Sequence, residues 1–158
     1  MKKIIVICFI LMCLLTSCDG KGEKGTAREY YFCSQGITFT VGDDADKIVC
    51  ALGEPNYKTV APSCADTGDD ELYVYSGFRI YAHRDANGCC IKAIELTNDA
   101  VSTSEGVKIG DFSARIYEIY GEGMKKNGAV EYSAEKLKLR FFVRDGRVIG
   151  IKYLENDG

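Results

Sequence analysis

Histidine is almost absent from this chain: His83 is the only one in 158 residues. A histidine-rich metal centre is thereby excluded, and one candidate general base is left. No Gly-x-Ser-x-Gly turn or papain-like cysteine context accompanies it, so a hydrolase has no recognisable nucleophile. A thiol at Cys64 or Cys89 reads as structural, because nothing nearby marks either as activated. The two Cys-x-x-Cys pairs of a zinc site are missing, and His83 stands six residues from Cys89, the nearest cysteine. Positive charge is also scarce: 20 basic against 23 acidic residues disfavours nucleic acid as a partner. Asp43, Asp44 and Asp46 crowd together, but an EF-hand loop requires glycine where Ile48 stands. Helix capping accounts for Asp43 instead. No metal, cofactor or catalytic residue is expected.

Long apolar runs are lacking too. Spanning a bilayer as a helix takes ~20 residues, whereas the one apolar stretch, residues 4–15, is shorter. It lies after Lys2-Lys3 and ends in Leu15-Thr16-Ser17-Cys18. This order resembles a bacterial lipoprotein signal peptide. The resemblance implies cleavage before Cys18, a diacylglyceryl group on Cys18, and export of the mature chain. Residues 1–17 are then signal peptide, residues 18–29 the lipidated cysteine with a glycine-rich polar tether, and residues 30–158 a single domain. The expected location is the extracytoplasmic face of the cell membrane, with the membrane itself engaged through the lipid on Cys18. Losing Lys2 and Lys3 leaves 18 basic against 23 acidic residues.

Of eight cysteines, Cys8 and Cys13 belong to the leader and Cys18 to the lipid. Cys33, Cys50, Cys64, Cys89 and Cys90 remain, an odd number that cannot pair completely within one chain. Export permits disulfides, so one or two bridges and a buried leftover thiol are expected, with the pairing open.

What the chain does have is an internal duplication. Gly42-Asp43, Ile48 and Gly53-Glu54 recur as Gly110-Asp111, Ile116 and Gly121-Glu122 at an offset of 68. Gly88, Ile91, Leu96, Asn98 and Asp99 recur as Gly146, Ile149, Leu154, Asn156 and Asp157 at an offset of 58. Two matches in the same order make a duplicated unit, about 37–100 and 106–158. Each opens with a helix: Ala45, Ile48, Val49 and Leu52 form one apolar stripe, and Phe112, Ile116, Ile119 and Tyr120 the other. Asn87-Gly88 and Asp145-Gly146 mark hairpin turns. The expected fold class is α+β, two tandem repeats of a short helix plus about three antiparallel strands, packed as one domain.

Alternation along residues 72–83 places Leu72, Val74, Phe78, Ile80 and Ala82 on one face and Tyr73, Tyr75, Arg79, Tyr81 and His83 on the other. In the second copy Leu137, Leu139, Phe141 and Val143 alternate with Lys138, Arg140, Phe142 and Arg144. The polar sets form the candidate binding surface: Tyr73, Tyr75, Arg79, Tyr81, His83, Lys138, Arg140, Phe142 and Arg144. Tyrosine and arginine combine large contact area with directed polar groups, the chemistry of binding hot spots. A plain solvated sheet face is the competing reading, since tyrosine also favours strands. Asp69-Asp70-Glu71 reads as a solvated turn.

The paired helix-and-sheet units, each opening on Gly-Asp and closing its helix on Gly-Glu, resemble the β-lactamase inhibitory protein in tandem layout. Singly they resemble the envelope-assembly lipoproteins of the SmpA/OmlA type. The likeness covers residues 37–157. The lipobox, Leu52-Gly53-Glu54-Pro55, Ser63-Cys64-Ala65 and Tyr73-x-Tyr75-Ser76-Gly77-Phe78 are similar to lipoproteins of anaerobic gut Firmicutes. The resemblance implies a concave sheet surface that grips a protein or peptide at the cell envelope. The alternative is an envelope-assembly or structural scaffold lipoprotein.

Overall fold

The computed structural model describes residues 29–156, so Cys18, the leader and the tether through residue 28 lie outside the described residues. The elements run in the order β1 (Phe32–Ser34), β2 (Ile37–Phe39), α1 (Ala45–Leu52), β3 (Tyr57–Pro62), β4 (Asp69–Val74), β5 (Phe78–Asp85) and β6 (Gly88–Leu96). Then come α2 (Ala114–Tyr120), β7 (Met124–Lys126), β8 (Ala129–Ser133), β9 (Leu137–Arg144) and β10 (Arg147–Glu155). The α+β expectation is overturned. Among the described residues ten strands stand against two helices of eight and seven residues, so this part of the chain is mainly β rather than a balanced helix-and-sheet repeat. Four strands, not about three, come after each helix.

Eight strands form one antiparallel sheet in the order β3-β4-β5-β6-β10-β9-β8-β7. The two four-strand sets meet at β6 and β10, where Leu96 faces Ile151 and Ile94 faces Tyr153. Equivalent bonds recur about this join. The Gly42 amide donates to the Ile91 carbonyl and the Gly110 amide to the Val148 carbonyl, both at 2.8 Å. Tyr75 donates its hydroxyl to the Gly53 carbonyl at 3.1 Å, and Tyr132 to the Gly121 carbonyl at 2.6 Å. Each tyrosine thus fastens a helix end to the sheet below it.

Two helices of about two turns cannot cover eight strands. The gap is filled by the β1–β2 hairpin, which the sequence reading does not anticipate. Phe32 and Phe39 are fully buried, 5.4 Å apart edge to face, and Phe32 reaches Phe78 at 5.0 Å and Tyr153 at 6.2 Å. Phe32 therefore spans the join between the two halves. Burying each such ring contributes about 1.5–3 kcal/mol, which holds the hairpin in place. The linker beyond β6 joins this layer through Val107 and Thr103, both buried.

Local chemistry departs from expectation at the helix starts. Asp44, not Asp43, caps α1, accepting the Asp46 amide at 3.1 Å and the Lys47 amide at 3.3 Å. Asp43 instead accepts the Thr40 amide at 2.8 Å, as Asp111 accepts the Lys108 amide at 3.0 Å. Phe112 precedes α2 and stands 65% exposed beneath the Arg147 guanidinium, 4.2 Å from its ring centre. It lies outside the expected apolar stripe, because α2 begins two residues later.

Candidate functional site

One face of the sheet carries the helices and the hairpin; among the described residues no element lies over the other. Cross-strand partners share a face, so the register identifies the uncovered one. Its central row runs Tyr57, Val74, Arg79, Glu95, Lys152, Arg140, Glu131 and Met124, one residue from each strand. A parallel row runs Thr59, Leu72, Tyr81, Ala93, Leu154, Lys138 and Ser133.

The structure brings Arg79, Tyr81, His83, Lys138, Arg140 and Phe142 together on this face, with Arg144 exposed at the end of β9. Tyr73 and Tyr75 are corrected: they lie on the covered face, 2% and 7% exposed, and Tyr75 stacks on Phe78 at 4.9 Å. Leu72 and Val74 take their place on the uncovered side. The reason is the turn between β4 and β5, where the Tyr75 amide donates to the Phe78 carbonyl across two residues. A two-residue loop pairs residue i with i+3, so odd positions before it share a face with even positions after it.

Charges on the central row neutralise one another. Glu95 meets Arg79 at 3.4 Å and Lys152 at 3.0 Å, and accepts the Tyr81 hydroxyl at 2.7 Å. Burial opposes its ionisation, but the Tyr81 hydrogen bond and the Lys152 ammonium outweigh burial and hold its pKa low. Arg140 pairs with Glu131, itself only 5% exposed, at 3.0 Å. Between these pairs, Tyr81, Phe142 and Leu154 present half-buried apolar surface. The face can therefore exchange ion pairs with a ligand while offering aromatic contact area.

His83 is fully engaged. Its Nδ1 lies 2.9 Å from an Asp70 carboxylate oxygen and its Nε2 3.2 Å from the Thr67 carbonyl. Both neighbours are acceptors, so both ring nitrogens carry protons in the best-satisfied state. The Asp70 carboxylate, together with the Thr67 carbonyl, accordingly raises the imidazole pKa above its ordinary value, against a smaller burial effect. A histidine held this way clamps the loop between β3 and β4 and has no free nitrogen to activate a thiol. The clamp is tight, because a side chain at Gly68, whose φ is +124°, would meet the Arg84 carbonyl oxygen at 2.1 Å.

A second polar cluster escapes the sequence reading. Glu71 belongs to no solvated turn: it is 4% exposed on the covered face. Arg84 Nε binds it at 2.5 Å, Lys58 Nζ at 3.1 Å, and the Tyr73 hydroxyl donates to it. Arg84 also forks onto both Asp46 oxygens, at 2.5 and 2.9 Å, tying α1 to β5. Burial works against the Glu71 anion, but Arg84, Tyr73 and Lys58 bring its pKa down to about 2. Cys89 sits beside this cluster; burial first, then the Glu71 charge, pushes its thiol up to about 11. Such a thiol is inert at neutral pH.

The five described cysteines are free thiols, with Cys33, Cys50 and Cys64 exposed, Cys89 buried and Cys90 between. The expected bridges do not form among them. Cys89 and Cys90 point to opposite faces of β6, which separates them from a common partner. Among the described residues no group of acidic, histidine and cysteine side chains is arranged to hold a metal. A cleft of about 370 Å3 opens beside Tyr30, Val41, Asp43 and Leu137, and none of the expected site residues lines it.

The uncovered sheet face thus gives this mainly β protein a surface of aromatic side chains and paired charges. No protein-family model matches the chain, and neither the curated proteins nor the solved structures give a match.

Proposed function

We propose that this is a lipid-anchored extracytoplasmic binding module that holds a protein or peptide of the cell envelope on its uncovered sheet face, without catalysis. One observation carries the reading: a face of eight strands keeps Leu72, Val74, Tyr81, Phe142 and Leu154 half-buried with no second layer over them among the described residues. Sheets normally cover such apolar surface, and sizeable uncovered patches mark interaction sites. The lipobox at Leu15-Thr16-Ser17-Cys18 supports the location. The engaged state of His83 supports a non-catalytic role.

The test is crosslinking and affinity capture by the full-length chain in envelope membranes, comparing wild type with the triple variant Arg79→Ala, Lys138→Ala, Phe142→Ser. These positions spare Tyr75, whose loss would break the fold rather than the face. Capture should fall at least several-fold with an unchanged unfolding midpoint. Undiminished capture would remove this face from consideration. Replacing Cys18 with serine should release the protein from membranes; partner association lost with membrane attachment alone would favour the scaffold alternative.

A further inference from the structure

The two edges of the sheet are unlike. β7 is three residues long and carries Lys125 and Lys126, the short charged form that blocks further pairing. β3 is six residues long and exposed throughout, with Tyr57 59% and Val60 50% accessible. Its one charge, on Lys58, is already paired with Glu71. A long edge without free charge is a template for another strand.

Hydrogen-bond phase shows which groups that template offers. The Ser63 amide donates to the Gly68 carbonyl at 2.9 Å. Counting back by twos, Ala61 with Asp70, Thr59 with Leu72 and Tyr57 with Val74 are the pairs that exchange bonds across β3 and β4. The N–H and C=O groups of Lys58 and Val60 therefore point outward. Pro62 points outward as well, where its missing N–H leaves nothing unsatisfied.

We propose that β3 is a self-pairing edge: a second copy of this chain adds its own β3 antiparallel, with the two-fold axis at Thr59. Lys58 of each copy then faces Val60 of the other, and both pairs exchange N–H···O bonds in both directions. Thr59 meets its own counterpart, a favourable cross-strand pair, and Tyr57 lies against Ala61. No like charges stand opposite one another, and Lys58 lays its aliphatic stem along Val60 while its ammonium stays on Glu71. The strand is complementary to itself in backbone phase, charge and side-chain size, which is why a second copy is its occupant rather than an extended segment of another protein. The result is one continuous sheet with two uncovered faces side by side.

Sedimentation velocity of the full-length chain in mild detergent, over a broad concentration range, tests this. The wild type should pass from monomer to dimer. Thr59→Lys and Thr59→Glu each place like charges opposite one another on the two-fold axis and should weaken the dimer about threefold, whereas an equimolar mixture of the two variants opposes unlike charges and should restore it. Circular dichroism should be unchanged for both, since Thr59 is exposed and faces Leu72 on β4. A wild type that stays monomeric throughout, as it would if the edge served only a foreign peptide, overturns the proposal. So do single variants that leave the equilibrium unmoved, or a mixture that associates no better than either variant alone.

Discussion

Replacing Glu71 with glutamine removes one charge from the cluster that joins α1, β3, β4 and β5, and leaves volume and the hydrogen bond from Tyr73 in place. A folded-state pKa of about 2 against an ordinary 4.5 corresponds to about 3 kcal/mol at neutral pH, at ~1.4 kcal/mol per pH unit. The carboxylate is solvent-inaccessible but lies only one layer down, with Lys58 43% exposed on its outer side. Screening there reduces the figure to about 2 kcal/mol. The pKa is depressed on folding, so this stability is present above pH 4.5 and lost as pH falls toward 2. Glu71→Gln should therefore cost about 2 kcal/mol at pH 7 and less than half as much at pH 3. Urea unfolding monitored by far-ultraviolet circular dichroism measures both, the chain having no tryptophan to report by fluorescence. Other acidic residues titrate in the same range, but they contribute equally to both proteins and cancel in the difference. An equal cost at pH 7 and pH 3, or one below about 0.5 kcal/mol at pH 7, would refute the assignment of Glu71 as a charged anchor.

The His83 clamp has the opposite sign: a raised pKa stabilises below the ordinary value of 6.5 and is lost as pH rises through the folded one. The imidazole should titrate above 6.5 by NMR, with the Gly68 amide showing the same midpoint, and His83→Ala should abolish that response. Thiol labelling of the folded chain should modify Cys33, Cys50 and Cys64 rapidly and Cys89 only on unfolding; rapid labelling of Cys89 would contradict its burial. Phe112→Asp places a carboxylate at the position equivalent to Asp44, where it should bond the Ala114 amide, the Arg115 amide already donating to the carbonyl of residue 112 at 3.0 Å. A cap contributes about 1 kcal/mol and the lost Arg147 contact costs about 0.5, so the thermal midpoint should rise slightly.

Alternation is legible wherever a reading stays inside one strand. Leu137, Leu139 and Phe141 are buried and Lys138, Arg140 and Phe142 lie opposite, as their parity requires. It fails where the reading crosses Tyr75-Ser76-Gly77-Phe78 as if the strand continued. Glycine at a tight turn and aromatic residues flanking it are the available signal, and Gly77 does adopt φ +104° with Val101 packed against it. Glu71 is hidden for a different reason. Its neighbours Asp69 and Asp70 are exposed and suggest a solvated turn, whereas its burial depends on Arg84 and Lys58, which the fold supplies from other strands.

The repeat shows the same limit in its register. An offset of 58 sets Leu96 against Leu154, but Leu96 is a core residue whose structural counterpart is Tyr153, fully buried on the same face. Both hairpins contain a bulge, at Lys92 in β6 and at Ile149 in β10. Beyond the bulge the first hairpin extends through Ala82 and Ile91 to Asp85 and Gly88, while the second has only Val143 with Val148 and Arg144 with Arg147. The structural offset between β6 and β10 is one less, as the matching amide bonds to Ile91 and Val148 require. A one-residue slip reverses which side chains face the core. Identity matching locates the duplicated unit, but the faces are set by where each bulge and turn resets the count, and the candidate surface inherits both corrections: Leu72, Val74 and Leu154 belong to it, and Tyr73 and Tyr75 do not.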